Sequence, residues 1–398
     1  MTIARIRPWS RVALAIAAGG LVLMPAPTSA SSDRDEKAAD IVSEAPKGSR
    51  LEVVVTTQSA DGTPVISTVL ADTRTKARNI VASLLGRDRT IGVEMNHRVS
   101  IAAYNDTYRS RQWALDALKA ETVHKSTKGS GVKVAVIDTG VKASHSELSS
   151  RVLSGRDYVA PGTSAHDENG HGTHIAGIIA AVQNNRRGIA GMAPSAKILP
   201  VRVLDRYGSG TSANVAKGII YAANRGAKVI NLSLGSNQSS TAMESAVAYA
   251  ISKNVLVVAA AGNSGCGLLG LGVRTEYPAA YPGVVAVGAV TQSISRASYS
   301  SCGSWVDVVA PGDRIISTMI KNSVGLGCSP SSAYCTLSGT SFSAPYVAAT
   351  GALAIARRGW SQATVANRLE STATDLSPAG KDKYTGAGFI NPLKLINP

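Results

Sequence analysis

A series of near-continuous apolar runs limits what this chain can fold into more than any other feature. Val132 to Ile137, Ile198 to Leu204, Val229 to Leu234, Val255 to Ala260, Val284 to Val290 and Val306 to Ala310 lack the polar alternation of a half-exposed strand. Strands of that kind are covered on both faces, as parallel strands are when helices flank the sheet. Helical patterns stand between some of them, at Ile175 to Val182, Ala213 to Asn224 and Thr241 to Ser252, with another after Ser341. The alternation predicts an α/β fold built on a mostly parallel, doubly wound sheet. The first run ends in Asp138-Thr139-Gly140, which places a carboxylate at a strand's C-terminal edge, where such sheets bind ligands. An Asp that merely opens a turn is the bland alternative.

Ahead of this domain the pattern changes. Residues 1–30 read as a signal peptide: Arg5, Arg7 and Arg11 are the charged region, Val12 to Met24 the apolar core, and Thr28-Ser29-Ala30 the small residues before a cut. The apolar core is too short to span a bilayer, and no later segment is long enough and free of charge. An uncleaved anchor is the rival reading. Residues 31–48 read as a flexible leader. Leu51 to Thr56 and Val65 to Leu70 read as strands, Asp72 or Thr73 to Leu85 as a helix, and Thr90 to Met95 and Arg98 to Ala103 as two more strands. Together they make a small α+β module with a core of marginal size.

The 398 residues carry a formal charge of +15, and the surplus of Lys and Arg lies beyond residue 105. These cations are scattered rather than interleaved with aromatics, so no nucleic-acid groove is expected. No nucleotide fingerprint is present. Four cysteines in an exported chain are an even set and imply two disulfides. Cys328 with Cys335 would close a small loop before Ser341, leaving Cys266 with Cys302. A metal site is the alternative, weakened by the absence of CxxC spacing.

Three groups needed to activate a hydroxyl nucleophile stand on separate element ends. Asp138 follows a strand. His171 stands between two glycines at a helix start, in Gly170-His171-Gly172-Thr173-His174, whereas His174 faces the apolar stripe and reads as a packed structural histidine. Ser341 lies in Gly339-Thr340-Ser341-Phe342-Ser343-Ala344-Pro345, between a loop (Ala333 to Leu337) and an apolar helix, with Thr340 as the expected N-cap. Pro345 lacks the N–H that would return to the carbonyl of Ser341, so the first turn is left open there. Ala260-Ala261-Gly262-Asn263 ends a strand and offers the Asn263 amide to an oxyanion, beside the Ser341 N–H.

The segments Val136 to Val141, Asn169 to His174, Ala260 to Asn263 and Gly339 to Pro345 resemble, in order, the signature blocks of the subtilisin-like serine proteases. The similarity covers roughly residues 104–398 and is nearest to the thermitase-like secreted members. It implies a subtilisin-like three-layer α/β fold over 104–398, a secreted and autoprocessed endopeptidase, and an inhibitory propeptide over 31–103 cut near residues 100–106. Asp138, His171, Ser341 and Asn263 take the catalytic places. Gly208-Ser209-Gly210 and Ser233-Leu234-Gly235 resemble the two backbone edges that clasp an extended polypeptide. Val182 to Ile189 resembles a loop holding a structural Ca2+, with Asp106, Glu147 and Asn185 side chains and the carbonyls of Val182, Arg187 and Ile189 as ligands. Glu276 takes the place at the base of the primary specificity pocket. There it pairs with a substrate Lys or Arg, or Arg274 neutralises it and the pocket prefers large apolar residues. A monomer that binds neither membrane nor nucleic acid is expected. A non-peptidase hydrolase is disfavoured by the missing GxSxG elbow, and a catalytically silent binding homologue by the intact Asp, His, Ser and Asn.

Overall fold

The computed structural model describes residues 29–43, 45, 51–95, 104–267 and 273–397. The chain divides at residues 101/102 into two compact units. Residues 1–28 of the expected signal segment, and the strand expected at 98–103, lie outside the described residues.

In the smaller unit helix α1 (Ser29–Ser43) precedes strands β1 (Leu51–Gln58) and β2 (Pro64–Ala71), helix α2 (Arg74–Leu84) and strand β3 (Thr90–Met95). The sheet is antiparallel, in the order β2-β1-β3. Thr73 caps α2 by accepting from the Lys76 N–H. The stretch expected as a flexible leader is helical over much of its length. Ala38 and Val42, four residues apart, are buried in one core with Val53, Ala77 and Val81, and that burial orders an otherwise charged segment.

The larger unit opens with a 3₁₀ turn (Arg109–Arg111) and two helices, α3 (Trp113–Ala117) and α4 (Ala120–Ser126). The sequence predicts one helix over 112–120, but Lys119 adopts φ 52° and divides it. Then come β4 (Lys133–Asp138), β5 (Arg156–Asp157), α5 (His171–Ala180), β6 (Lys197–Arg202), α6 (Ser212–Asn224), β7 (Val229–Leu232), α7 (Thr241–Ser252), β8 (Leu256–Ala260), β9 (Val284–Val290) and β10 (Val308–Pro311). A hairpin of β11 (Ile315–Thr318) and β12 (Tyr334–Leu337) leads into α8 (Thr340–Arg358), and α9 (Gln362–Ser371) and α10 (Pro392–Ile396) follow. Of residues 333–337, expected as loop, 334–337 form the whole of β12 because they pair with β11 in the register Ser317↔Cys335.

Among the described residues seven strands form one sheet, ordered β10-β9-β8-β7-β4-β6-β5 with parallel neighbours. The apolar runs are explained by both faces being covered. Val134 and Val136 share a core with Ile175 of α5 and Val347 of α8, while Ala135 and Ile137 share another with Ile219 of α6 and Val247 of α7. This is the three-layer α/β arrangement. The strand order reverses between β4 and β7, and the carboxyl ends of those two strands carry Asp138 and Ser233. Such a reversal opens a crevice in which open parallel sheets place their sites. Among the described residues no helix is long and apolar enough to cross a membrane.

Candidate active site

Asp138 is the last residue of β4 and is fully buried. One of its carboxylate oxygens, Oδ1, accepts from the Thr139 N–H at 2.7 Å and from His171 Nδ1 at 2.8 Å. His171 is the first residue of α5, after Gly170 at φ 110°. A Cβ on Gly172 would collide with the carbonyl oxygen of Gly140, so only glycine lets this helix start approach the strand end. With Nδ1–H donated to Asp138, the other ring nitrogen is left with its lone pair. Burial lowers the His171 pKa, but the charge and hydrogen bond of Asp138, with a contribution from Asp167, raise it above the ordinary histidine value. His174, expected as structural, is buried with Nε2 against the Cys335 carbonyl at 3.1 Å. Burial depresses its pKa to about 3, so it is neutral at working pH.

The N-cap of α8 is Gly339, at φ 154°, rather than the expected Thr340. That backbone is open essentially to glycine alone, and Thr340 is occupied elsewhere. Its N–H and hydroxyl both donate to Asn263 Oδ1, at 2.8 and 3.1 Å, and its hydroxyl accepts from the Gly262 N–H at 3.2 Å. Ser341 is therefore the second helical residue, with an N–H that has no intrahelical acceptor. The carbonyl freed by Pro345 does not stay open. It accepts from Ser233 Oγ at 2.7 Å, which in turn accepts from Asn231 Nδ2 at 2.9 Å. The Ser341 hydroxyl donates to the Ser233 carbonyl at 3.3 Å. Among the described residues no hydrogen bond joins it to His171, and the two are linked through Phe342, whose ring lies 5.5 Å from the imidazole. Apo hydrogen bonds of this kind often form only when substrate is present.

Because Asn263 Oδ1 is held by two Thr340 donors, its Nδ2 is free to donate. It lies 3.6 Å from where a Cβ on Gly339 would be. His171, Gly208-Ser209-Gly210 and Ser233-Leu234-Gly235 line one cleft of about 680 Å³. Leu204 bridges to Gly210 in antiparallel fashion, and Ser236 to Tyr277.

A family model described as the subtilase family matches residues 129–388. The chain is a subtilase. It is 43% identical over 293 residues to thermitase of Thermoactinomyces vulgaris, covering 73% of this chain and 98% of thermitase. A thermophilic serine proteinase of Bacillus sp. (strain AK1) is 46% identical over 294 residues, covering 73% and 69%. Among solved structures, proteases from Pseudoalteromonas arctica PAMC 21717 superpose with TM-score 0.66 at 31% identity, covering 74% of this chain and 99% of that one. MycP1 with its N-terminal propeptide removed gives TM-score 0.62 at 32% identity, covering 72% and 96%. As a subtilase with relatives named as serine proteinases and subtilisins, this chain is a serine endopeptidase.

Glu276 of the subtilase is partly buried between two glycines. A Cβ on Gly235 would lie 3.0 Å from its Oε2, and one on Gly262 would lie 2.5 Å from its Cγ. Burial alone raises its pKa. Among the described residues it has no ion pair, and Arg274 does not reach it.

In the candidate calcium loop Asp106 accepts from the Asn184 and Asn185 N–H groups at 3.0 and 3.1 Å. Glu147 accepts from Asn185 Nδ2 at 3.0 Å and from the Tyr334 hydroxyl at 2.7 Å. Asn185 Oδ1 is turned to the Arg187 N–H, 2.9 Å away, so it would have to reorient to ligate. Among the described residues no cluster of three His, Cys, Asp or Glu side chains is close enough to hold a metal, and neutral oxygens would have to complete any site. Two observations fit a hard cation. Both carboxyls are buried with pKa values raised chiefly by that burial. The carbonyls of Val182, Arg187 and Ile189 accept no hydrogen bond among the described residues.

The disulfides join Cys266 to Cys302 and Cys328 to Cys335. Sequence reasoning missed Asn231, the Ser233 hydroxyl and Asp167. A polar side chain inside the apolar run of β7 is the one signal that marked Asn231.

Proposed function

We propose that Asp138, His171 and Ser341 act as a catalytic triad in a secreted, self-processing endopeptidase. The hydrogen bond from His171 Nδ1 to buried Asp138, at the sheet's switch point, supports this most. The remaining imidazole nitrogen takes the Ser341 proton as Oγ attacks the scissile carbonyl carbon, and the developing O⁻ is met by Asn263 Nδ2 and the Ser341 N–H. His171 passes the proton to the leaving amine as the C–N bond breaks. Water then attacks the acyl-enzyme by the same base. An extended polypeptide lies along Gly208-Ser209-Gly210 and Ser233-Leu234-Gly235, and pairing through its main chain makes specificity broad. Glu276 faces the residue before the cleaved bond.

Residues 1–30 direct export, 31–103 are the inhibitory and folding-assisting propeptide, and 104–398 are the peptidase domain. Asp106, Glu147 and Asn185, with the carbonyls of Val182, Arg187 and Ile189, hold a structural Ca2+ whose charge offsets the two buried carboxylates. The test is Ser341→Ala in the full chain. It abolishes casein hydrolysis and leaves an unprocessed secreted precursor. Normal processing of that variant in a protease-free preparation would refute self-maturation, and casein hydrolysis by it would refute the triad.

A further inference from the structure

Asp138 is weakly fixed for a group that must orient an imidazole. Only the Thr139 N–H and His171 bond to its carboxylate, and Oδ2 has no hydrogen-bond partner among the described residues. A second carboxylate, four residues ahead of His171, has the opposite character. Asp167 is 1% exposed and accepts five hydrogen bonds. Its Oδ1 takes the Thr139 hydroxyl and the Asn169 and Gly170 N–H groups at 2.9, 3.0 and 2.8 Å. Its Oδ2 takes the Thr173 N–H and hydroxyl at 2.9 and 2.6 Å.

The two threonines belong to the two segments that carry the Asp138–His171 pair, and each hydroxyl also receives a backbone N–H from the other segment. Thr139, after β4, accepts from the Gly172 N–H of α5 at 3.0 Å, and Thr173 of α5 accepts from the Lys142 N–H at 2.9 Å. Asp167 is thus the hub of a cross-brace between the strand end that carries the acid and the helix start that carries the imidazole. We propose that Asp167 is the positioning residue of the Asp138–His171 pair, fixing their separation through the Thr139 and Thr173 hydroxyls and adding a second negative charge behind the imidazole.

This inference rests on the reading of His171 as the base for Ser341. Around the imidazole, Asp138 and Asp167 are the charges that act on it. His174, on the same helix, is neutral, and Ser341 and Phe342 of α8 carry no charge. Asp205, in the loop across the cleft, is held by the Tyr207 and Ser209 N–H groups of its own loop, and Arg206 lies over Tyr207.

The test follows acylation of Ser341 by a fluorophosphonate against pH, starting from the full chain. Asp167→Asn puts an NH2 against donors on one side of the brace. Acylation should slow by about tenfold to a hundredfold, and the acid limb should move about half a pH unit or more to lower pH as a charge favouring imidazolium is lost. Thr139→Val keeps both carboxylates and is the second variant should Asp167→Asn not fold. It should slow acylation without that shift, and Thr139→Ser should restore the rate. Wild-type rates and limb position in the folded variants would overturn the inference alone. A wild type that is not acylated would overturn both the base assignment and this inference.

Discussion

Asn263 does two things with one amide, and they can be separated. Its oxygen ends both Thr340 donors, while its nitrogen is the donor for the oxyanion in the proposed mechanism. Asn263→Ala should lower kcat by roughly 10²–10³ and also cost about 1–3 kcal/mol of stability, because two Thr340 donors lose their acceptor. Asn263→Asp keeps the acceptor and should lose activity with the melting temperature held, which calorimetry beside kinetics would show. Equal loss of stability in both variants would contradict this division. Glu276 yields a second prediction at this scale. It is a partly buried carboxylate with no ion pair among the described residues, set against Gly235. If it faces the residue before the cleaved bond as proposed, Arg or Lys there should be favoured over a matched apolar residue by about tenfold to a hundredfold in kcat/KM. Because its pKa is raised, that preference should grow as pH rises, and Glu276→Gln should abolish it. An unchanged preference in the mutant would place the carboxylate outside the pocket.

At the scale of elements, the candidate calcium loop is the most exposed to test. Asp106 and Glu147 titrate above their unfolded values. Without a cation, each loses folded-state stability as pH rises from the unfolded pKa through the folded one. Bound Ca2+ removes that loss. The melting-temperature gain of calcium over chelator should therefore be larger near pH 8 than near pH 5. At a hundredfold excess over Kd it should correspond to about 2.7 kcal/mol. No difference at either pH would exclude the site. How far elements were legible in the sequence follows from where their reasons lie. The parallel strands were readable because burial on both faces writes itself into every residue. The α8 start was misread by one position because Thr340 is drawn to Asn263, a partner 77 residues away. The α3–α4 break at Lys119 and the pairing of β12 with β11 have no local signature. Asp167 looks like any loop aspartate until its burial and five donors are known.

Across the whole molecule, the four sequence blocks lie at the carboxyl ends of β4 and β8 and the amino ends of α5 and α8. What the sequence could not supply was the scaffold behind them. Ser233 and Asp167 bond to groups 108 and 28 residues away, Asn231 acts through Ser233, and no spacing rule connects the distant partners. The chain divides at 101/102 into two compact units, and that the first of them is an inhibitory propeptide is a proposal. The central claim is that Ser341 is the nucleophile activated by His171. It is tested most directly by treating the active enzyme with a fluorophosphonate and locating the adduct by peptide mass mapping. The predicted result is a single stoichiometric adduct on Ser341 that appears as pH rises above the ordinary histidine range and is absent in His171→Ala. An adduct on another residue, or undiminished casein hydrolysis with Ser341 unmodified, would contradict it.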